Sequence, residues 1–340
     1  MPEQPEAIPY VTSYYAERWG FCLSDAERMR LEDGVYEVVV DTELIDGHLT
    51  YAELVLPGIE QEEVMLSTYV CHPSMANNEI SGIAVTTHLA MWLMERPRRR
   101  THRIVFLPET IGSIVYLKDR FEHLRRHVIA GFNVTCVGDD RVRSYLPSRR
   151  GDSLADQVAR HVLRWLDPGF LTYSWGDRGS DERQYCAPHI DLPIATMSRS
   201  LYGRYPEYHT SLDDLERVVT PTGLEGGYEA IRLALEALER DCRPLVTVLG
   251  EPQMGRRGLY PTLSTRGGAS GTRLMMDLIS WSDGRNTLLD IAERCEVPIW
   301  TLYPIVETLA EHGLLRFEEV AIQPPSDISG SPGPHDARRT

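Results

Sequence analysis

Lysine is nearly absent: of 35 basic residues in this 340-residue sequence, only Lys118 is a lysine. That reflects codon usage in a GC-rich genome, not the fold. Cysteine is sparse and unpaired in pattern. Cys22, Cys71, Cys136, Cys186, Cys242 and Cys295 form no C-x-x-C, which excludes a disulfide framework and a zinc ribbon and predicts that most are buried, reduced thiols. No run approaches the roughly 20 apolar residues of a membrane helix. The chain lacks G-x-S-x-G, a P-loop and G-x-G-x-x-G, so a serine nucleophile elbow and nucleotide loops have no support. Positive charge is also short: 35 Lys+Arg against 50 Asp+Glu leaves −15, which repels nucleic-acid phosphates. The acidic, proline-bearing start Met1–Glu6 is unlike a signal peptide and predicts a cytoplasmic protein without membrane attachment. What is present is ordinary globular composition, 42% hydrophobic and 25% charged, in a length that predicts about two domains.

Along the chain, Ser24-Asp25-Ala26-Glu27 has capping-box spacing for a short helix. Val35–Asp41 and Thr50–Leu56, joined by Ile45-Asp46-Gly47, read as a β-hairpin insertion over about 33–58. Apolar strands and helices then alternate. Strands are expected at Val64–Val70, Arg103–Leu107 and Leu192–Met197, and a further apolar run covers Val128–Val137. Helices are expected at Ser81–Met94, Ile111–Lys118, Asp152–Trp165 and Thr222–Arg240. This alternation predicts an α/β sandwich with a mainly parallel central sheet, with chemistry in the loops beyond the strands' carboxyl ends. Past residue 252, helical runs at Arg273–Ser280, Thr287–Cys295 and Pro298–His312 precede Leu314–Phe317. That order reads as a winged helix over 253–320, followed by a Pro/Ser/Gly-rich, disordered tail, 321–340.

Four polar clusters fall in the loops. The first, Cys71 to Gly82, holds His72, Asn77, Asn78 and Glu79. Alone, it reads more readily as a hydrogen-bonded loop than as a metal site. The second, Leu107-Pro108-Glu109-Thr110-Ile111-Gly112-Ser113, ends an apolar strand with a carboxylate, either a helix cap or an acid/base. The third is Gly179–Cys186 and the fourth Tyr205–Asp214. Cys71 and Cys186 adjoin these clusters but are expected to be inert thiols.

In order, these clusters resemble the zinc-dependent aminopeptidase family, which includes glutaminyl cyclases. More closely, the chain resembles its aminopeptidase-like "polysaccharide biosynthesis" branch, whose motifs are H-P-S-L-A-N-D-N-L-S-G, P-E-T-I-G-S, S-D-E-R-Q-Y-C, E-Y-H-T-S and E-P-Q-x-G-x-R-G-L-Y before a winged helix. All occur here, with small changes, over residues 1–320. Members usually carry an additional N-terminal segment, which this chain is expected to lack. The resemblance implies a zinc-peptidase-like three-layer sandwich. It places His72 and His209 at the two histidine ligands and Glu109 at the general base. Asn78 stands where the bridging Asp belongs, Thr110 where a ligand Glu belongs, and Thr135 where a later Asp belongs. Loss of three carboxylates leaves a two-zinc centre without charge compensation. One Zn²⁺ needs three protein ligands and an open position. His72 and His209 supply two, and the third is Asn78, Glu79, Glu109 or Asp181.

The implied chemistry is amide hydrolysis of a small peptide or amino-acyl conjugate, with Glu109 moving the proton. Asp181, Glu182 and Glu207 are candidates to hold a substrate ammonium, Arg183 or Arg204 to hold a carboxylate or phosphate, and Tyr185 and Tyr208 to line the substrate. Ordinary loop salt bridges explain these charges equally well. Two alternatives stay open: an acyl-transfer or cyclisation enzyme on the same scaffold, and a non-catalytic pseudo-peptidase. The winged helix does not read as a DNA-binding element. Residues 254–320 hold seven Arg against nine Asp+Glu, and Pro298–His312 has no Lys or Arg, whereas a recognition helix presents such groups to phosphates and bases. Packing in the chain or in a homo-oligomer is the expected use.

Overall fold

The computed structural model describes residues 1–13, 16–43, 45–259 and 270–317. The chain divides into two compact units, Met1–Asp241 with Glu296–Thr301, and Cys242–Cys295 with the residues from Leu302 onward. The tail expected at 321–340 lies outside the described residues.

In the first unit, seven strands form one sheet in the order β1-β3-β2-β4-β7-β5-β6. They are β1 (Ala52–Leu56), β2 (Glu63–Tyr69), β3 (Thr101–Leu107), β4 (Val128–Asn133), β5 (Ser144–Leu146), β6 (Leu171–Thr172) and β7 (Ile194–Ser198). The central run β3-β2-β4-β7 is wholly parallel, while β1 and β5 join antiparallel to β3 and β7. Every residue of β2 is buried, the signature of a strand covered on both faces. This is the α/β fold class that the alternation predicts.

The helices are α1 (Asp25–Arg28), α2 (Ser81–Met94), α3 (Ile111–His127), α4 (Leu154–Leu166), α5 (Glu182–Tyr185) and α6 (Pro221–Arg240). Met65 and Val105 of the sheet pack with Tyr116 and Leu124 of α3 and Tyr185 of α5 in one buried cluster. Helices α2, α4 and α6 pack together with β2, β4 and β7. Gly82 lets α2 begin hard against the sheet: a Cβ there would sit 2.5 Å from the Val134 carbonyl oxygen.

Among the described residues the expected hairpin over 33–58 is not formed: only Ala52–Leu56 is a strand there, and it pairs with β3. Val35–Asp41, despite its β-branched run, joins no ladder among the described residues. Strand propensity describes a fit to a half-buried surface, and Val35 and Val39 have no such surface against them, being 104% and 80% exposed.

The second unit carries α7 (Ser270–Trp281), α8 (Leu288–Arg294) and, from Leu302 on, α9 (Ile299–Glu311), with β8 (Pro244–Val246) antiparallel to β9 (Leu315–Phe317). Leu278, Leu288, Ile291, Leu302 and Leu309 are buried. Thr287 caps α8 in a reciprocal box with Asp290. No helix among the described residues is long and apolar enough to cross a membrane.

Candidate metal centre

Four neighbouring parallel strands deliver the polar clusters to one end of the sheet. The loop after β2 carries His72, the loop after β3 carries Glu109, the segment after β4 carries Thr135, and the long loop after β7 carries His209. In open α/β sheets, ligand sites lie in the crevice beyond the strands' carboxyl ends.

The rings of His72 and His209 stand 4.6 Å apart, centroid to centroid. His72 is buried, and its Nδ1 lies 2.5 Å from Oε1 of the buried Glu79. Glu79 is itself fixed, because its Oε2 accepts the Cys71 N–H at 3.0 Å. When the ring is neutral, a proton on Nδ1 facing this carboxylate leaves Nε2 as the bare lone pair. Burial works against charge on the His72 ring, but the hydrogen bond and charge of Glu79, with Glu109 behind, raise its pKa overall. His209 is different. Burial, then the neighbouring His72, push it down to about 4, so it is neutral at neutral pH. Its Nε2 is buried without a hydrogen-bond partner among the described residues.

Asn78 sits in a π-helical turn, Ala76–Ile80, immediately before α2. Such turns recur at functional sites. Asp213 holds this one, accepting the N–H groups of Asn77 and Asn78 at 2.7 and 3.0 Å. The Asn78 side chain donates to the Tyr69 hydroxyl at 2.7 Å, and Tyr69 meets Thr135 Oγ1 at 2.5 Å. Thr135 in turn donates to the Asn78 carbonyl at 3.0 Å. With Thr135 donating there, Tyr69 must donate to Thr135. A closed ring of neutral hydrogen bonds therefore stands at two of the three positions where the family pattern has carboxylates. The ring uses Nδ2 of Asn78 and leaves Oδ1 buried and unpartnered.

Glu109 is partly buried. Burial raises its pKa against the opposing charge of His72. Its carboxylate, a His72 ring nitrogen and Cys71 Sγ lie within 4.8 Å of one another. Burial pushes the Cys71 thiol up to about 11, so it stays protonated and inert. Thr110 follows Glu109 with φ 62° and ψ −62°, and the Ile111 N–H closes back on the Glu109 carbonyl at 2.6 Å. That is a γ-turn with positive φ at a β-branched residue, a strained conformation that surroundings must impose. Asp181 imposes it: its Oδ1 accepts the Thr110 N–H at 2.7 Å and the Ser113 hydroxyl at 2.8 Å. Arg183 donates to Thr110 Oγ1 at 2.6 Å from the exposed side.

Residues 7–241 match the DUF4910 family, described as a domain of unknown function, and residues 242–317 match a winged helix-turn-helix family. The chain belongs to the DUF4910 family. A Clostridium acetobutylicum protein, named for polysaccharide biosynthesis and an aminopeptidase-like domain, is 38% identical over 297 residues, covering 86% of this chain and 67% of that one. A crystal structure described as a peptidase from the same organism superposes with a TM-score of 0.86 at 34% identity, over 94% of this chain and 72% of that one. The zinc aminopeptidase of Bacillus subtilis is a far weaker likeness, with a TM-score of 0.46 at 16% identity over 55% of this chain and 49% of that one.

Within this DUF4910 domain the other expected site residues divide. Tyr208 stacks on His209 at 3.8 Å and an interplanar angle of 15°. Asp181 and Arg183 bear on Thr110, beside Glu109. Glu207 lies further out, in a bidentate pair with Arg141 at 2.8 and 2.9 Å. Glu182 and Tyr185, which the sequence places at the substrate, are fully buried. Glu182 accepts from Gly179, Ser180, Tyr202 and Asn133, and the Tyr185 hydroxyl meets Ser67 at 2.8 Å. Both are engaged inside the fold, out of a substrate's reach.

Sequence reasoning missed two contributors. Asp213 supports the Asn78 turn, and its place in the fourth cluster was the only signal. Tyr10 meets His72 and His209 in T-shaped ring contacts, with centroids 5.0 and 5.6 Å apart, and no local motif marks it.

Proposed function

We propose that this chain is a single-zinc amide hydrolase of aminopeptidase-like fold, acting on a short peptide or an amino-acyl conjugate. One observation carries the reading. His72 and His209 meet with Nδ1 of one locked by a buried carboxylate, while Nε2 of the other and Oδ1 of Asn78 are buried without partners. Unpartnered buried polar atoms are costly, and a carboxylate-locked histidine is the usual outer support of a metal ligand. The donors His72, His209 and Asn78 are enough for one ion and not for two, since the carboxylates a second would need are replaced by Asn78, Thr110 and Thr135.

Zinc held there would supply Lewis acidity toward a carbonyl and a more acidic water. The protein's own part is proton handling and positioning. Glu109, beside His72 and with its pKa raised by burial, takes a proton from the attacking water and returns it to the leaving amine. Asp181 and Arg183 fix Thr110, and with it the direction of Glu109. The relative's name supports an amino-acylated or N-acylated sugar as the conjugate. We place the protein in the cytoplasm, and assign the winged helix to contacts with a second copy rather than to nucleic acid.

Incubating zinc-loaded protein with amino-acyl amides in ¹⁸O-water tests the reading. One ¹⁸O in the released acid is expected; loss of the amine without ¹⁸O favours acyl transfer or cyclisation. The neutral ring at Asn78 favours a second reading, a non-catalytic relic. Asn78→Asp separates the two: a weakened site gains about tenfold or more in zinc affinity from the added charge, and a relic gains none.

A further inference from the structure

The segment Gln4–Tyr10 lies along the His209 loop as a short antiparallel strap. Gln4 Nε2 donates to the Pro206 carbonyl at 2.8 Å, and the Ile8 N–H donates to Ser211 Oγ at 3.0 Å. The Ser211 N–H returns to the Ile8 carbonyl at 2.9 Å, and the Tyr10 N–H reaches the His209 carbonyl at 2.9 Å. Pro9 and Thr210 form the bridge between them, and fully buried Ala7 anchors the strap. The strap ends by setting the Tyr10 ring in T-shaped contact with both histidines, opposite in kind to Tyr208, which lies flat on His209 alone.

We propose that Tyr10, carried on this strap, walls one side of the His72–His209 pair and restricts the site to short substrates. The physical reason lies in the backbone. An extended peptide adds to a protein edge by pairing with free N–H and C=O groups. Along residues 206–211 the strap already holds the Pro206 and His209 carbonyls and the Ser211 N–H. A long peptide chain would have to displace the strap, whereas an amino-acyl group ending at the histidines would not. Tyr10 is thus a specificity-determining residue. The substrate part of this inference rests on the hydrolase reading, while the wall itself rests on geometry alone.

The test begins with the chelator-treated protein and diethyl pyrocarbonate, with labelling of His72 and His209 followed by mass spectrometry. Tyr10→Ala should be labelled several-fold faster at both histidines, and Tyr10→Phe at the wild-type rate. Equal rates in Tyr10→Ala and wild type would overturn the wall. Tyr10→Val, which keeps the extended backbone, serves if Tyr10→Ala does not fold. On zinc-loaded protein, the kcat/KM ratio of an amino-acyl amide over a pentapeptide amide should fall about tenfold in Tyr10→Ala; an unchanged ratio would overturn the length restriction. Turnover of neither substrate would refute the hydrolase reading, and the labelling rates would still decide the wall.

Discussion

Nδ1 of His72 lies 2.5 Å from Oε1 of Glu79, and both residues are buried. The pair sets which ring nitrogen is bare, and the other carboxylate oxygen of Glu79 accepts the Cys71 N–H. Glu79→Gln should therefore weaken zinc binding about 10- to 100-fold, the usual loss for an outer-shell partner. Competition with a chromophoric chelator measures it; an unchanged affinity would remove His72 from the ligand set.

Thr110 holds a positive φ that a β-branched residue resists. Thr110→Gly should release roughly 1 kcal/mol or more of strain, so the melting temperature should hold or rise. Turnover should fall, because Glu109 loses its fixed direction and Arg183 loses its acceptor. A lower melting temperature with full turnover would show that the γ-turn does neither job.

Asp181 is buried, and burial first, with Glu109 and Glu182 nearby, pushes its pKa up to about 8 from an ordinary 3.8, against the hydrogen bonds from Thr110 and Ser113. The folded state then keeps a proton that the unfolded chain releases, so this group's contribution to stability falls as pH rises from about 4 to about 8. Asp181→Asn keeps an acceptor for Thr110 and Ser113 but cannot ionise. Its melting temperature should gain on wild type between pH 5 and pH 8. Parallel curves across that range would contradict the buried, protonated carboxyl.

Much of the fold was legible because its signals are local. Ser153 and Asp156 cap α4 reciprocally, and the apolar runs at β2, β3 and β7 are too regular to be anything but buried strands. His72, Glu109 and His209 were legible for a related reason: each sits in a motif at a strand end. What was not legible depends on partners distant in sequence. The run Val35–Asp41 has strand composition, yet pairing is a property of two segments, and β1 found β3. Glu182 and Tyr185 share a motif with Asp181, yet the four-residue α5 turns them into the core. Tyr10 meets His209 only through the strap, and nothing near Tyr10 in sequence records it.

Glu109→Gln separates proton transfer from capping. Turnover should fall about 10²- to 10⁴-fold, the usual share of a positioned general base. The melting temperature should not fall, because burial disfavours the charge that the amide removes. Steady-state rates and calorimetry on the same preparations decide it; full turnover with a clearly lower melting temperature would make Glu109 a structural cap.

The account turns on whether the two histidines hold zinc. Elemental analysis of protein purified without chelator, before and after incubation with zinc and desalting, measures this directly. Wild type should carry close to one zinc per chain after loading, and His72→Ala and His209→Ala should carry almost none. A stoichiometry near zero in wild type, unchanged by added zinc, would contradict the account at its centre.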